Sequence, residues 1–521
     1  MKIPLTPLRC LHRAIDLYGG KTGVVCGDKR FTYAQFGERC ERLASALTQS
    51  GVVQGDRVGF LSFNTHRLLE GYFGVPQSRA MVMPLNVRLT PAELGGILQH
   101  AEPKILFYEA DFAPLVEQLR RAVPAVRTVS LDAEYEAFLE QGTAGRADIM
   151  SYDEDSIAEL FYTSGSTGVP KGVMLSHRTI YMHGMAVLAT FYHDDTSVEL
   201  HTIPLFHANG WGRPQAATMN GLKQVMVRRF DPAGVCQLIQ DERATAMSLV
   251  PTMAGALLQC PERPKFDLSS LREIHIGGAA ASPELIARME AAFHCTVLAG
   301  YGLTETSPVA TSARRKGTVQ YADGEERLQH QAMAGWPIPG TEIRVVDANM
   351  ADVPRDMSSV GEVVISGDNV MDGYYREPEA TAAVMSGIWF HTGDMAVWDR
   401  ESYIHIVDRK KDIIISGGEN ISSIEVEKAV AAHPGVLEVA VVGAPDTAWG
   451  EIPVAIVVLK PDAGVSEQEL REFLVPRLAK FKMPRLYEFA DGPLPKGGTG
   501  KILKRELRER FWQGKERRVQ G

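Results

Sequence analysis

The chain has 521 residues and a formal net charge of −9, with 23% of its residues charged. That length exceeds one ordinary core, so two or more domains are expected. The acidic balance, with a pI of about 5.9, excludes a general attraction for nucleic acid or an anionic membrane surface, so any anionic ligand must be met by a local site.

Nothing at the amino terminus reads as a signal or an anchor. "MKIPLTPLRCLHRAIDL" breaks its apolar residues with Pro, Arg and His before a signal core can form, and no apolar run approaches the roughly 18 residues of a membrane span. The cysteines, at 10, 26, 40, 236, 260 and 295, form no C-x-x-C pair and no zinc-like spacing. They read as reduced thiols of a cytoplasmic protein.

Over about the first 400 residues, β-like runs alternate with helix-length amphipathic segments. "AQFGERCERLASALTQSG" (34–51) predicts a helix, whereas "RVGFLSF" (57–63), "KILFY" (104–108) and "EIHIGG" (273–278) predict strands. The alternation argues for α/β layering. After the acidic, polar "RADIMSYDEDS", the run "SIAELFY" reads as a buried strand and "GVML" as the start of another. Between them lies "TSGSTGVPKG". A bare Gly, Ser and Pro cluster is usually a surface turn. Here glycines would let backbone N–H groups approach an anion, Ser164, Ser166 and Thr167 add hydroxyls, and Lys171 adds charge, so a phosphate-bearing ligand fits the loop.

Further along, "PLFHANGWG" (204–212) carries His207 and Trp211, which taken singly are core or rim residues. "AGYGLTETS" (299–307) places Thr304 and Glu305 after a glycine-rich strand exit. A carboxylate near a polyphosphate suits Mg2+, an ion that keeps few protein ligands. "SARRKGTVQYADGEERLQHQ" (312–331) reads as an excursion or mobile loop. "WFHTGD" ends in Asp394, which either caps its turn or accepts from ribose hydroxyls. The pattern restarts after "DRKKD" (408–412) with a helix, the strands "EVAVVGAP" and "IPVAIVVLK", and a helix ending near "PRLAKF". The domain boundary is accordingly placed between 1–408 and 409–521. "PKGGTGK" resembles a Walker A loop only superficially, because Pro495 stands where a glycine is required and Ile502 replaces the Mg2+-binding Ser or Thr.

Taken together, "YTSGSTGVPKG", "PLFHANGWG", "HIGGAA", "GYGLTETSP", "WFHTGD", "DRKKDIIISGGENI" and "PKGGTGK" resemble, in order and spacing, the adenylate-forming superfamily of acyl-CoA synthetases, peptide-synthetase adenylation domains and beetle luciferases. The likeness is strongest to medium- and long-chain fatty acyl-CoA synthetases. It implies a large, multi-layered α/β N-terminal domain and a small mobile α+β C-terminal domain. It also implies a two-step reaction, in which Mg2+-ATP adenylates a carboxylic acid with loss of pyrophosphate and CoA then displaces AMP. The partners it implies are the acid, ATP and CoA, with a homodimer as an admissible assembly.

By that resemblance, Lys501 is the adenylating lysine, and Thr163 and Glu305 contact Mg2+. Ser164, Gly165, Ser166, Thr167, Gly168 and Lys171 meet phosphate. Gly278, Ala279, Ala280, Gly300, Tyr301, Gly302 and Thr304 match the adenine and nucleotide pocket, and Asp394 and Arg409 match the ribose contacts. His207, Trp211 and Gly277 match the acyl pocket. Lys411 matches the hinge, and Gly417 and Gly418 the loop along the CoA tunnel. Two rivals differ in substrate. An aryl or short-chain acid would use the same chemistry, and an amino-acid adenylation enzyme would usually show an ammonium-binding Asp within the stretch that reads "PLFHANGWG" here.

Overall fold

The computed structural model describes residues 2–164, 170–416, 419–447, 449–461, 463–496 and 502–513. Two compact units emerge. One comprises Met1–Ile343, Val364–His391 and Asp399–Ile404, and the other Arg344–Val363, Thr392–Trp398 and His405–Gly521.

The first unit is built on two large sheets. In spatial order, the nine-stranded sheet runs Trp336–Pro337, Val309–Ser312, Thr296–Gly302, Glu273–Ile276, Ala246–Leu249, Val198–His201, Lys223–Met226, Thr22–Cys26 and Lys29–Thr32. Its five central strands, from Thr296–Gly302 to Lys223–Met226, pair in parallel. The seven-stranded sheet runs Gly373–Tyr374, Pro170–Ser176, Ile157–Ser164, Met81–Pro84, Arg57–Leu61, Ile105–Tyr108 and Arg127–Ser130. Parallel strands need crossovers and coverage on both faces, yet in the nine-stranded sheet apolar residues alternate with buried polar ones, as in Val198–His201 and Glu273–Ile276. The helices supply that cover. Tyr33–Gln49 buries Phe36, Cys40, Leu43 and Leu47 and starts at a capping box, in which Thr32 and Gln35 satisfy each other's backbone N–H groups.

The second unit has its own five-stranded sheet, in which Glu419–Ile421, Ile414–Ser416, Gly450–Leu459 and Val436–Asp446 lie in sequence across the sheet and Leu486–Phe489 pairs with Gly450–Leu459. Ile414, Val441, Val457 and Leu470 form part of its separate core.

Two local expectations are corrected. The polar stretch 312–331 is not one loop: its second half forms the helix Gly324–Ala332, nucleated by Asp323 accepting from the Glu325 and Glu326 backbone N–H groups. The helix expected to end near "PRLAKF" stops at Leu474, because Pro476 has no N–H with which to continue the hydrogen-bond ladder after Val475. The six cysteines are all free. Among the described residues, no helix is long and apolar enough to cross a membrane.

Candidate active site

The phosphate-loop sequence joins Ile157–Ser164 to Pro170–Ser176, two antiparallel strands whose register sets Thr163 opposite Lys171 and Ser164 opposite Pro170. Gly165, Ser166, Thr167 and Gly168 lie outside the described residues. The register therefore sets one hydroxyl and one ammonium side by side at the end of the hairpin nearest its connecting segment. The short strand Gly373–Tyr374 pairs beside it, with Tyr374 opposite Val173, and Tyr375 N–H donates to the Gly172 carbonyl at 2.7 Å. This pairing brings Lys171 Nζ to 4.8 Å from the centre of the Tyr374 ring, a cation–π distance.

Glu305 is carried in a tight turn, Thr304–Thr306, directly after the strand Thr296–Gly302. Two bonds fasten that turn to the Gly373–Tyr374 segment. Met371 N–H donates to the Glu305 carbonyl at 2.8 Å, and Tyr374 Oη donates to Glu305 Oε1 at 3.0 Å. Burial, and then the Glu305 charge, push the Tyr374 phenol well above its ordinary range, so it stays a donor at neutral pH. Asn369 adds a further clamp, its Nδ2 donating to Thr306 O at 3.1 Å. Sequence reasoning missed Tyr374 entirely. "DGYYREP" carries only turn signals, and its role arises from a strand pairing between residues about two hundred positions apart, which no local pattern encodes.

Gly277, Gly278, Ala279 and Ala280 follow the strand Glu273–Ile276, and Gly300, Tyr301 and Gly302 end the neighbouring parallel strand. Both sets sit at the carboxyl ends of parallel strands, where open α/β sheets bind ligands. Gly302 cannot be replaced, because a Cβ there would collide with the Pro308 carbonyl. A Cβ on Gly277 would stand 3.0 Å from the Trp211 indole and 3.4 Å from Gly300 O. The indole of Trp211 thus lies directly on Gly277.

An unusual backbone holds it there. Ala208, Asn209, Gly210, Trp211 and Gly212 all have φ between 47° and 70°, a left-handed turn that costs about 1–2 kcal/mol at each non-glycine residue. Side chains anchor it: Gln215 Nε2 donates both to Asn209 Oδ1 at 3.1 Å and to Glu159 Oε1 at 2.9 Å. Glu159 lies on the hairpin's first strand, so the left-handed turn and that strand share one buried link. Burial raises the Glu159 carboxyl well above its usual 4.5. His207, half-buried, precedes the turn, and its backbone N–H donates to Pro204 O at 3.0 Å.

In the second unit, Asp394 is 3% exposed and Arg409 Nε lies 2.6 Å from its Oδ1. Beside them, Lys410 Nζ donates to Glu362 Oε2 at 3.0 Å, and Gly393 N–H to Glu362 Oε1 at 3.2 Å. Lys411 follows the strand Ile404–Arg409, and its carbonyl accepts from Arg508. Gly417, Gly418 and Lys501 lie outside the described residues, as does the side chain of Ser164.

A glycine- and hydroxyl-rich hairpin, a carboxylate joined through Tyr374 to its lysine, and glycine-lined strand ends under an indole agree with the class of adenylate-forming enzymes. Residues 11–375 match the AMP-binding enzyme family and residues 425–501 its C-terminal domain. The chain belongs to the AMP-binding enzyme family. It is 40% identical to a long-chain-fatty-acid–CoA ligase of Thermus thermophilus, over 96% of this chain and 94% of that one. It is 36% identical to 4-hydroxybutyrate–CoA ligase 2 of Metallosphaera sedula, over 97% and 94%. Among solved structures, ATP-bound MatB from Rhodopseudomonas palustris superposes with a TM-score of 0.85 at 28% identity, covering 97% of this chain and 99% of that one.

Proposed function

We propose that this protein is an ATP-dependent acid–CoA ligase that passes through an acyl-adenylate. The observation that carries the reading is the constellation of Thr163, Lys171, Tyr374 and Glu305 at the mouth of the glycine-rich hairpin. In the first step a carboxylate oxygen attacks the α-phosphorus of ATP and pyrophosphate leaves. In the second the CoA thiol attacks the acyl carbon and AMP leaves. Negative charge gathers on phosphate and carboxylate oxygens in the first step, so fixed cations and donors must be aimed there. Lys171 meets the leaving phosphates, and Lys501 meets the oxygens at the reacting phosphorus.

The donors Thr163 and Glu305 fit Mg2+, a hard cation satisfied by one carboxylate, a hydroxyl, phosphate oxygens and water. Once bound, Mg2+ offsets the charge of the phosphates. Tyr374 holds Glu305 by one oxygen and so orients it. Asp394, aligned by Arg409, accepts from the ribose hydroxyls, and Gly278 to Ala280 with Gly300 to Gly302 and Thr304 border the nucleotide. Lys411 is the hinge that exchanges Lys501 for the Gly417–Gly418 loop between the two steps, and the boundary 408/409 marks the mobile domain. The cysteine pattern favours a cytoplasmic enzyme, and the family likeness a homodimer.

The acid is a medium- or long-chain fatty acid, with His207 beside its carboxylate and Trp211 over Gly277 at the tunnel entrance. The name of the Thermus relative supports this choice. A panel of carboxylic acids incubated with ATP, Mg2+ and CoA, read by AMP, pyrophosphate and acyl-CoA formation, tests the reading. Release of ADP and phosphate, or no acid-dependent release, would reject it.

A further inference from the structure

Beneath Trp211 the sheet face is polar where an alkyl tunnel needs it apolar. Glu273, His275 and Gly277 alternate along one strand and therefore share a face, with Trp211 on Gly277. Each two-residue step down that strand covers about 6.6–6.8 Å, so His275 lies one step and Glu273 two steps below the indole. Across the sheet, Glu199, Ala246 and Glu273 are register partners, and the small Ala246 leaves a gap between the two carboxylates. His193 lies over that gap, 3.8 Å from Glu199 Oε2 by Nδ1 and 3.8 Å from Glu273 Oε2 by Nε2. Arg213, two residues past Trp211 and 4% exposed, closes the layer. Its Nε is 3.9 Å from Glu199 Oε1, and its guanidinium stacks 4.2 Å over Phe191, whose ring meets His275 edge-on at 4.2 Å.

This layer is buried but incompletely paired. Glu199 Oε2 and Arg213 Nε have no hydrogen-bond partner, whereas His275 Nε2 and Glu273 Oε2 stand 3.2 Å from each other, and buried polar atoms are rarely left unpaired. Arg314 pairs with Glu273, so two guanidiniums already balance two carboxylates. The missing partner is therefore a neutral group that both donates and accepts. An anion would face Glu199 and Glu273 and be repelled, whereas a hydroxyl can accept from Arg213 Nε and donate to Glu199 Oε2.

We infer that the acyl pocket ends in a hydroxyl-recognising floor built by Arg213, Glu199, His193 and His275, so that the preferred acid carries a hydroxyl at its far end. The inference rests on the reading of Trp211 and Gly277 as the acyl entrance. A hydroxyl met by buried partners raises discrimination, because an analogue lacking it leaves those partners unpaired.

The test uses purified full-length enzyme with ATP, Mg2+ and CoA. The acids are ω-hydroxy acids of about six to twelve carbons, spanning the one- to two-step depth of the floor, with the matching unsubstituted acids and dicarboxylates. We expect kcat/KM for the best ω-hydroxy acid to exceed that of its unsubstituted counterpart by about tenfold or more. In Arg213→Met and Glu199→Gln that ratio should fall toward one. An equal or lower value for the hydroxy acid in the unaltered enzyme, or a preference for the dicarboxylate, overturns the inference whether or not the variants fold. Stoichiometric Zn2+ in the purified protein, lost in His275→Ala, also overturns it, since the metal would claim the same atoms. The rise in melting temperature with each acid reads occupancy without turnover. A protein that turns over no acid sinks the ligase reading, and equal rises for hydroxy and unsubstituted acids then sink the floor as well.

Discussion

Tyr374 donates its phenolic hydroxyl to Glu305 at 3.0 Å while its ring lies beneath Lys171. One side chain thus connects the expected metal-binding carboxylate to the expected phosphate-binding lysine. Tyr374→Phe keeps the ring and removes only the donor. The turnover should fall about tenfold, the worth of a hydrogen bond to a charged group, and the Mg2+ concentration for half-maximal rate should rise. An unchanged Mg2+ dependence would separate Tyr374 from the metal.

Gly277→Ala places a methyl 3.0 Å from the Trp211 indole. The indole must shift or stay clamped, so the acid-length profile of kcat/KM should move while the KM for ATP changes by less than about twofold. Trp211→Ala should broaden the same profile. In the unaltered enzyme, each further methylene buried should add about 0.8 kcal/mol, about fourfold, until the pocket ends. A flat profile with a sharp preference for an aromatic acid would favour the aryl-CoA ligase alternative.

Asp394, held 2.6 Å from Arg409, is the buried carboxylate proposed for the ribose. Asp394→Asn should raise the KM for ATP by about tenfold or more, since charge-assisted bonds are the stronger kind. It should affect 2′-deoxy- or 3′-deoxy-ATP less than ATP. An equal loss for all three nucleotides would remove Asp394 from the ribose.

Much of this site was legible in local chemistry. "YTSGSTGVPKG" shows two strand ends around a glycine-rich middle, although both strands reach further into it than the apolar runs suggest, to Ser164 and from Pro170. Glu305 follows a strand exit as its glycines indicate, whereas Asp394, read as following a turn, lies inside the strand Trp389–Trp398 just after Gly393, whose φ is 70°. What stayed hidden depends on distance and backbone hand. Tyr374 acquires its role through pairing with Pro170–Ser176. "HANGWG" gives no sign of five successive positive φ angles, whose anchors, Gln215 and Glu159, come from other elements. Glu199 and His275 looked like ordinary strand residues because alternation shows which residues share a face but not what faces them.

Glu159 makes one of those hidden links sensitive to pH. Its carboxyl is raised above 4.5 by burial, so the folded protein holds this proton to a higher pH than the unfolded chain. The resulting stability is present below about pH 4.5 and is lost as pH rises through the folded-state value. Glu159→Gln cannot ionise. Its melting temperature relative to the unaltered protein should therefore rise steadily from about pH 5 upward, whereas parallel curves across that range would show that Glu159 does not titrate as the buried link requires.

Lys501 is expected to act in adenylation alone. Lys501→Ala should slow acyl-adenylate formation about 100- to 1000-fold and leave thioester formation from supplied acyl-AMP near its normal rate. Equal loss in both half-reactions would deny the exchange about Lys411.

The direct measurement of the central claim follows an oxygen atom. With a carboxylic acid labelled by 18O in both carboxylate positions, attack on the α-phosphorus must transfer one labelled oxygen to AMP, and the other must remain in the thioester carbonyl. Mass spectrometry of AMP from one complete turnover should show one 18O per molecule. Unlabelled AMP, or label appearing in inorganic phosphate instead, would contradict an acyl-adenylate and with it the account of the site.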